Sequence, residues 1–268
     1  MSDFIHLHNH SDYSLLDSCC PVDDLVQAAE QHQMKALALT DYGNLFGAAQ
    51  FFSAAKAKNI KPIIGMEAYL APNRLEKNKL IYHIVLFAKD QQGYQNLVAL
   101  TSQSYMDGFY YKPRIDKALL RAHAAGLIGT SACLKGEIPQ RLMHGQYEEA
   151  KALALEYLEI FQGDFYLEIQ RHGLALDAVV NDGMQRLSRE LNIPMIATND
   201  VHYREKADAA AHEILLCIQA GKTITDVTRP KYPGDTFYFR SPAEMKNLFK
   251  DVPSAIENTL ALAEKISF

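Results

Sequence analysis

The chain has 268 residues, 48% hydrophobic and 22% charged, with 14 Tyr, 12 Phe and no Trp, which is enough apolar material for one large core and too much for a disordered segment. A formal net charge of −5 excludes gripping duplex DNA by bulk positive charge, although a local basic patch stays open. The four cysteines (Cys19, Cys20, Cys133, Cys217) form no CxxC, no stretch approaches the roughly 20 apolar residues of a membrane helix, and MSDFIHLH lacks the basic-then-apolar order of a signal peptide; the chain therefore reads as cytoplasmic, without a membrane span.

Residues 4–10, FIHLHNH, predict a first strand. Residues 21–34 predict a helix: Pro21 suits a first turn, Asp23 and Asp24 favour its N-terminal end, and Val22, Leu25, Val26 and Ala29 form an apolar stripe. Then follow a strand at 36–40, a helix at 44–59, and strands at 61–71 and 82–89. A helix at 90–106, a strand at 126–133, a helix at 148–161, a strand at 164–170, a helix at 177–192 and a strand at 193–200 complete the series. Most of these seven strands are apolar on both faces, as in a parallel sheet covered by helices. Repeated right-handed crossovers wrap such a sheet into a closed barrel. After residue 204 the rhythm changes to a helix at 207–221, a loop over 223–239, a helix over 241–251 opened by the Ser241–Glu244 capping box, and a helix at 252–266. The expected organisation is an α/β barrel over 1–205 with a helical extension of the same domain over 206–268. The chain stops at Phe268 with no decline in apolar content, which reads as a cut inside a longer protein.

Barrels gather reactive groups at the C-terminal ends of their strands. Those ends carry His8 and His10, then Asp41 and Tyr42, Glu67, Cys133, and Asp200 with His202; Asp17 follows the first strand, and His83 begins its own. All but Tyr are common transition-metal ligands, and Tyr can also ligate. Residues two apart on a strand share a face, so His8 and His10 can hold one metal. His6 is expected on that face one step lower, in the packed interior. Asp200 and His202 repeat the spacing. A lone strand histidine is more often packing than a ligand; HxH with a second DxH and a Glu, all at strand ends, favours the metal reading. His32, His123 and His144 read as surface, His212 as packing or surface, and His172 as a residue that could line the mouth. Cys133 gains weight from its strand end, whereas Cys19, Cys20 and Cys217 carry no such signal.

The stretches HLHNHSDYSLLDS, ALTDYGNLFG, IIGMEAYL, YHIVLFAKDQQGYQNL, GTSACLKGEIPQ, LEIQRHG and ATNDVHY resemble the polymerase and histidinol phosphatase (PHP) domain. TDYGNLFG, GFYYKPRID and SACLKGEIP resemble more closely the N-terminal PHP domain of bacterial replicative DNA polymerase III alpha subunits, over residues 4–266. The resemblance implies a distorted seven-stranded (β/α) barrel, TIM-like, with up to three divalent metal ions (zinc, manganese or iron). It implies His8, His10, Asp17, Glu67, His83, Cys133, Asp200 and His202 as ligands. A ninth ligand, usually His, is expected where this chain has Tyr42. A phenol must lose a proton of pKa about 10 to compete with imidazole, so one metal is weak there, or Tyr42 binds as phenolate beside a strongly Lewis-acidic ion.

The implied activity is metal-dependent phosphoester hydrolysis, with Asp41 or His172 orienting substrate or supporting the ligands. In a replicative polymerase the implied substrate is a DNA 3′ end, making a proofreading 3′–5′ exonuclease. The implied partners are the rest of the alpha subunit, toward whose palm the helical extension leads, and a proofreading subunit. Two alternatives stand beside it: a catalytically inert brace of the polymerase body, and a free-standing small-molecule phosphatase similar to histidinol phosphatase, which GFYYKPRID disfavours.

Overall fold

A computed structural model describes residues 4–268; residues 1–3, the start of the expected barrel domain, lie outside the described residues. Helix α1 (Val22–Gln31) precedes β1 (Ala36–Leu39), α2 (Ala48–Ala57), β2 (Lys61–Leu70) and β3 (Tyr82–Ala88). Then come α3 (Gln91–Met106), β4 (Arg114–Ile115), α4 (Lys117–Ala122), β5 (Leu127–Thr130), α5 (Glu137–Met143) and α6 (Tyr147–Ile160). β6 (Phe165–Ile169), α7 (Ala175–Leu191) and β7 (Met195–Ala197) complete the sheet. A 3-10 turn (Lys206–Asp208), α8 (Ala209–Ala220), α9 (Pro242–Leu248) and α10 (Pro253–Lys265) follow. No helix of the described residues is long and apolar enough to cross a membrane.

The sheet runs β1-β2-β3-β5-β6-β7, with β4 beside β2. Most pairs are parallel, but β3 is antiparallel to both β2 and β5. This corrects the expected all-parallel order. A parallel return needs a crossover, usually helical, whereas residues 71–81 hold no helix and bring the chain straight back. The two-residue β4 and the short α4 and α5 were not expected. Asp116 caps α4 by accepting from the Leu119 amide.

Residues 4–10 close the ring without forming a regular strand. The Ala38 amide donates to His6 O and the Thr40 amide to Asn9 O on one side. On the other, the His10 amide donates to Val201 O and the Val201 amide to His8 O. Only Asn9 forms a bridge there, with Val201. Ile5 and Leu7 face the barrel interior beside Ala36, Ile63, Val85 and Phe87. Alternation then slips by one, so that His8 and His10 also face inward. His6 is left outside, its ring against Phe4 and Phe239 and its Nε2 2.8 Å from Arg240 O. The shared face expected for all three histidines therefore holds only for two.

The interior is layered by the period-two rule. Phe87, Ile128, Tyr166 and Ile196 fill the lower layer, and Leu262, Ala263 and Ile266 of α10 close it from below. The Ile5 amide donates to the buried Thr259 Oγ1 of the same helix. The extension over 206–268 is thus packed onto the barrel, and its last helix is the barrel's floor.

Candidate metal centre

Moving up the same strands by twos turns the interior from apolar to ionisable. Ile63 and Gly65 lead to Glu67, Ile128 to Thr130, Tyr166 to Glu168 and Ile196 to Thr198. Because β3 runs the other way, its first residues meet the end of β2: Tyr69 pairs with His83 and Glu67 with Val85. This explains why the one histidine at the beginning of a strand still reaches the mouth.

Glu67 is the hub. Its Oε2 lies 2.8 Å from His8 Nε2 and 2.9 Å from His10 Nε2. Its Oε1 lies 2.6 Å from His83 Nδ1 and 3.7 Å from Cys133 Sγ. Asp200 is a second shared group, its Oδ1 3.3 Å from His8 Nε2, 3.2 Å from His10 Nε2 and 3.3 Å from His202 Nε2. Three ligand groups result: His8, His10, Glu67 and Asp200; Glu67, His83 and Cys133; and Asp17, His202 and His212. Tyr42 stacks on His10 at 4.1 Å between ring centres and sits edge-on to His83. All nine expected ligand positions therefore converge. Cys133 and Asp200 each follow or occupy a left-handed backbone position, φ 58° at Ala132 and 46° at Asp200, turns that aim their side chains into the mouth.

The donor set fits metal ions. His10 Nε2 and Asp200 Oδ1 are buried without a hydrogen-bond partner although they lie 3.2 Å apart. Buried polar atoms rarely stay unpaired, and donors that crowd together unpaired mark a common ligand. The electrostatics agree. Burial pulls the His8 and His10 imidazoles down, but Glu168, Glu67 and Asp200 outweigh it, holding His8 well above its ordinary range and His10 at about 9. Burial pushes Glu67 and Asp200 up, yet His8 and its neighbouring imidazoles hold both well below the usual carboxylate range. Burial and the same carboxylates push the Cys133 thiol and the Tyr42 phenol well up. A cation would reverse these relations by favouring thiolate and neutral imidazole.

Residues outside the expected set orient it. Glu168 Oε1 accepts from His8 Nδ1 at 2.6 Å, which aims Nε2 at Glu67, and the other Glu168 oxygen accepts from Thr130. The Asp17 carbonyl accepts from His202 Nδ1 at 2.9 Å and His212 Nε2 at 2.8 Å. His212, expected as packing or surface, thus belongs to the site. Tyr232 of the loop between α8 and α9 places its hydroxyl 3.2 Å from His202 Nε2. Glu168 carried a usable signal, a carboxylate two residues beyond Tyr166 on an inward face; His212 and Tyr232 carried none.

The two expected catalytic residues fare differently. Asp41 does not reach the cleft and is corrected to a positioning role. It is buried and accepts from the Ser11 amide and hydroxyl and from Ser14 Oγ, each at 2.7 Å. Ser14 in turn sits 3.1 Å from His10 Nδ1. His172 does line the cleft, with Phe237 stacked on it at 3.9 Å. Burial lowers its pKa to about 4, so the ring is neutral at pH 7, and its Nε2 has no partner. The cleft holds about 300 Å³ and is bordered by Asp17, Tyr42, Cys133, Lys135, Tyr232 and Lys231.

The family profile described as the PHP domain matches residues 6–172. The DNA polymerase III subunit alpha of Borreliella burgdorferi is 48% identical over 98% of this chain and 24% of its own length. That of Campylobacter jejuni is 45% identical over 99% of this chain and 23% of its length, and that of Helicobacter pylori J99 44% identical over 98% and 23%. The chain spans about a quarter of the length of these curated relatives. The fold, the profile match and these similarities agree: the chain belongs to the PHP domain family and is homologous to part of the DNA polymerase III alpha subunit.

Proposed function

We propose that this domain is a metal-dependent phosphoesterase that removes nucleotides from a DNA 3′ end, a 3′–5′ exonuclease serving proofreading in the cytoplasm. In this reading it works within a DNA polymerase III alpha subunit, beside the polymerase body and a proofreading subunit, with up to three zinc, manganese or iron ions. The observation that carries the reading is the sharing of Glu67 and Asp200 among three ligand groups beneath an open cleft edged by Lys135. When bound, ions at such spacing polarise a phosphate and make water nucleophilic at neutral pH.

The chain's own side chains supply the rest. His8 Nε2, His10 Nε2, His83, Cys133 and the two shared carboxylates hold the ions, and Glu168 keeps His8 in the ligating tautomer. Lys135 and Lys231 take the charged oxygens of the phosphate. Partial burial opposes the Lys135 charge, but Cys133, Asp17, Glu67 and Asp200 outweigh it and raise its pKa. No carboxylate pairs with Lys135 within 4.0 Å among the described residues, so its ammonium is free for substrate. His172 Nε2 offers a neutral hydrogen-bonding group, and Asp41 acts through Ser14 on His10.

The test is metal analysis of chain purified without chelator, followed by digestion of single-stranded DNA labelled at either end, with and without Mn²⁺. Metal-dependent shortening from the 3′ end, lost in Asp200→Ala, is the expected result. Bound metal with no cleavage of DNA or of a generic phosphodiester would instead assign the bracing role, which Tyr42 in place of an imidazole favours. Turnover of small phosphomonoesters alone would point to the phosphatase alternative.

A further inference from the structure

The outer wall of the mouth has a donor set unlike the rest. Tyr232 reaches in from the loop between α8 and α9, its hydroxyl 3.3 Å from Asp17 Oδ1 and 3.2 Å from His202 Nε2. It also hydrogen-bonds the Tyr42 phenol. Both phenols are buried or half-buried, and both line the same cleft. Separations of 3.2 and 3.3 Å are those of donors that share one ion at about 2 Å each. The Asp17 backbone is pinned from two sides by His202 and His212, so the carboxylate is held at the meeting point.

The chemistry of this corner differs from that of the other two groups. His8, His10, His83 and Cys133 are borderline or soft donors suited to zinc-like ions. Two phenols and a carboxylate are hard oxygen donors. Ionised together they carry three negative charges. A divalent ion would leave one buried charge uncompensated, and buried unpaired charge is strongly disfavoured. A trivalent ion neutralises the set.

We propose that Asp17, Tyr42, His202 and Tyr232 form a site for a hard trivalent cation, iron(III), separate from the divalent sites built on Glu67. Binding replaces each phenol O–H by an O–Fe bond. The two protons pass to solvent, and no electron is transferred. On this account the Tyr at position 42 is a change of metal rather than a loss of one. The inference rests on the metal-binding part of the proposed function and not on hydrolysis.

The metal-free 268-residue chain, titrated with iron(III) nitrilotriacetate, is expected to develop a visible phenolate-to-iron charge-transfer band that saturates at a single iron per chain. Resonance Raman excitation in that band should show tyrosinate vibrations in the unaltered protein. Tyr42→Phe and Tyr232→Phe should each weaken and shift the band, and the double variant should abolish it, while calorimetric zinc binding to the His8–Glu67 group persists. A colourless ferric complex overturns the proposal, as does a band untouched by both single changes or a Raman spectrum without tyrosinate modes. Should a variant misfold and lose zinc as well, the Raman spectrum of the unaltered chain decides. Colour with no phosphodiester cleavage would count against the exonuclease reading alone.

Discussion

The floor and the mouth of the barrel are made by the same strands. β2 sends Ile63 down and Glu67 up, β6 Tyr166 and Glu168, and β3, running in reverse, Phe87 and His83. At the floor the inward side chains are apolar and α10 seals them. At the mouth, within two residues along each strand, the buried groups are carboxylates, imidazoles and a thiol. The floor contributes stability by removing apolar surface from water, about 1.5–3 kcal/mol for each large side chain. The mouth crowds charges whose cost is offset only by one another or by cations. One end is therefore stable by itself, and the other is stable through what it binds.

The sharpest way to break this contrast is Glu67→Ala. It removes the carboxylate common to the His8–His10 and His83–Cys133 groups, so elemental analysis should show metal lost from both; full retention of metal would end the shared-hub account. Phe87→Ala acts on the floor. It should cost about 3–5 kcal/mol in urea unfolding through the cavity it leaves, with metal stoichiometry unchanged. Equal loss of metal there would mean the two ends are not separable. Glu168→Gln keeps an acceptor for His8 Nδ1 but drops the charge, and a metal affinity about tenfold weaker is expected by competition titration. An unchanged affinity would remove Glu168 from the site's support.

The smallest effect concerns acid. Burial lowers the pKa of His6 to about 4, against about 6.5 in the unfolded chain. The folded state thus refuses a proton that the unfolded state accepts. Stability from this source is intact above pH 6.5 and falls as pH drops toward 4, by at most about 1.4 kcal/mol per pH unit. His6→Gln, which keeps a donor toward Arg240 O, should flatten the fall in melting temperature of the metal-free chain between pH 6 and 4.5. An identical slope in both proteins would contradict the assignment.

Much of this was readable in the residues. The strands at 61–71, 82–89 and 164–170 agree with β2, β3 and β6 to within a residue or so, because each is a short apolar run between turn signals. The Ser241–Glu244 capping box opens α9 as expected, with Ser241 Oγ accepting from the Glu244 amide. The reversal of β3 was legible only as an absence, the missing helix over 71–81. His6 misled because strict alternation was extended through a segment that is not a regular strand. His212 and Tyr232 were hidden because a helix or loop has no fixed register to a distant strand.

Residue type and period-two spacing, properties of neighbours in the chain, by themselves determined the β/α order, the HxH and DxH pairs and the buried Glu67. Tertiary structure alone decided that Glu67 serves two ligand groups, that Glu168 orients His8 and that a second phenol meets Tyr42. Those meetings join residues 100 to 200 positions apart, and only ring closure, with the slip after Leu7, fixes which of them come within bonding distance.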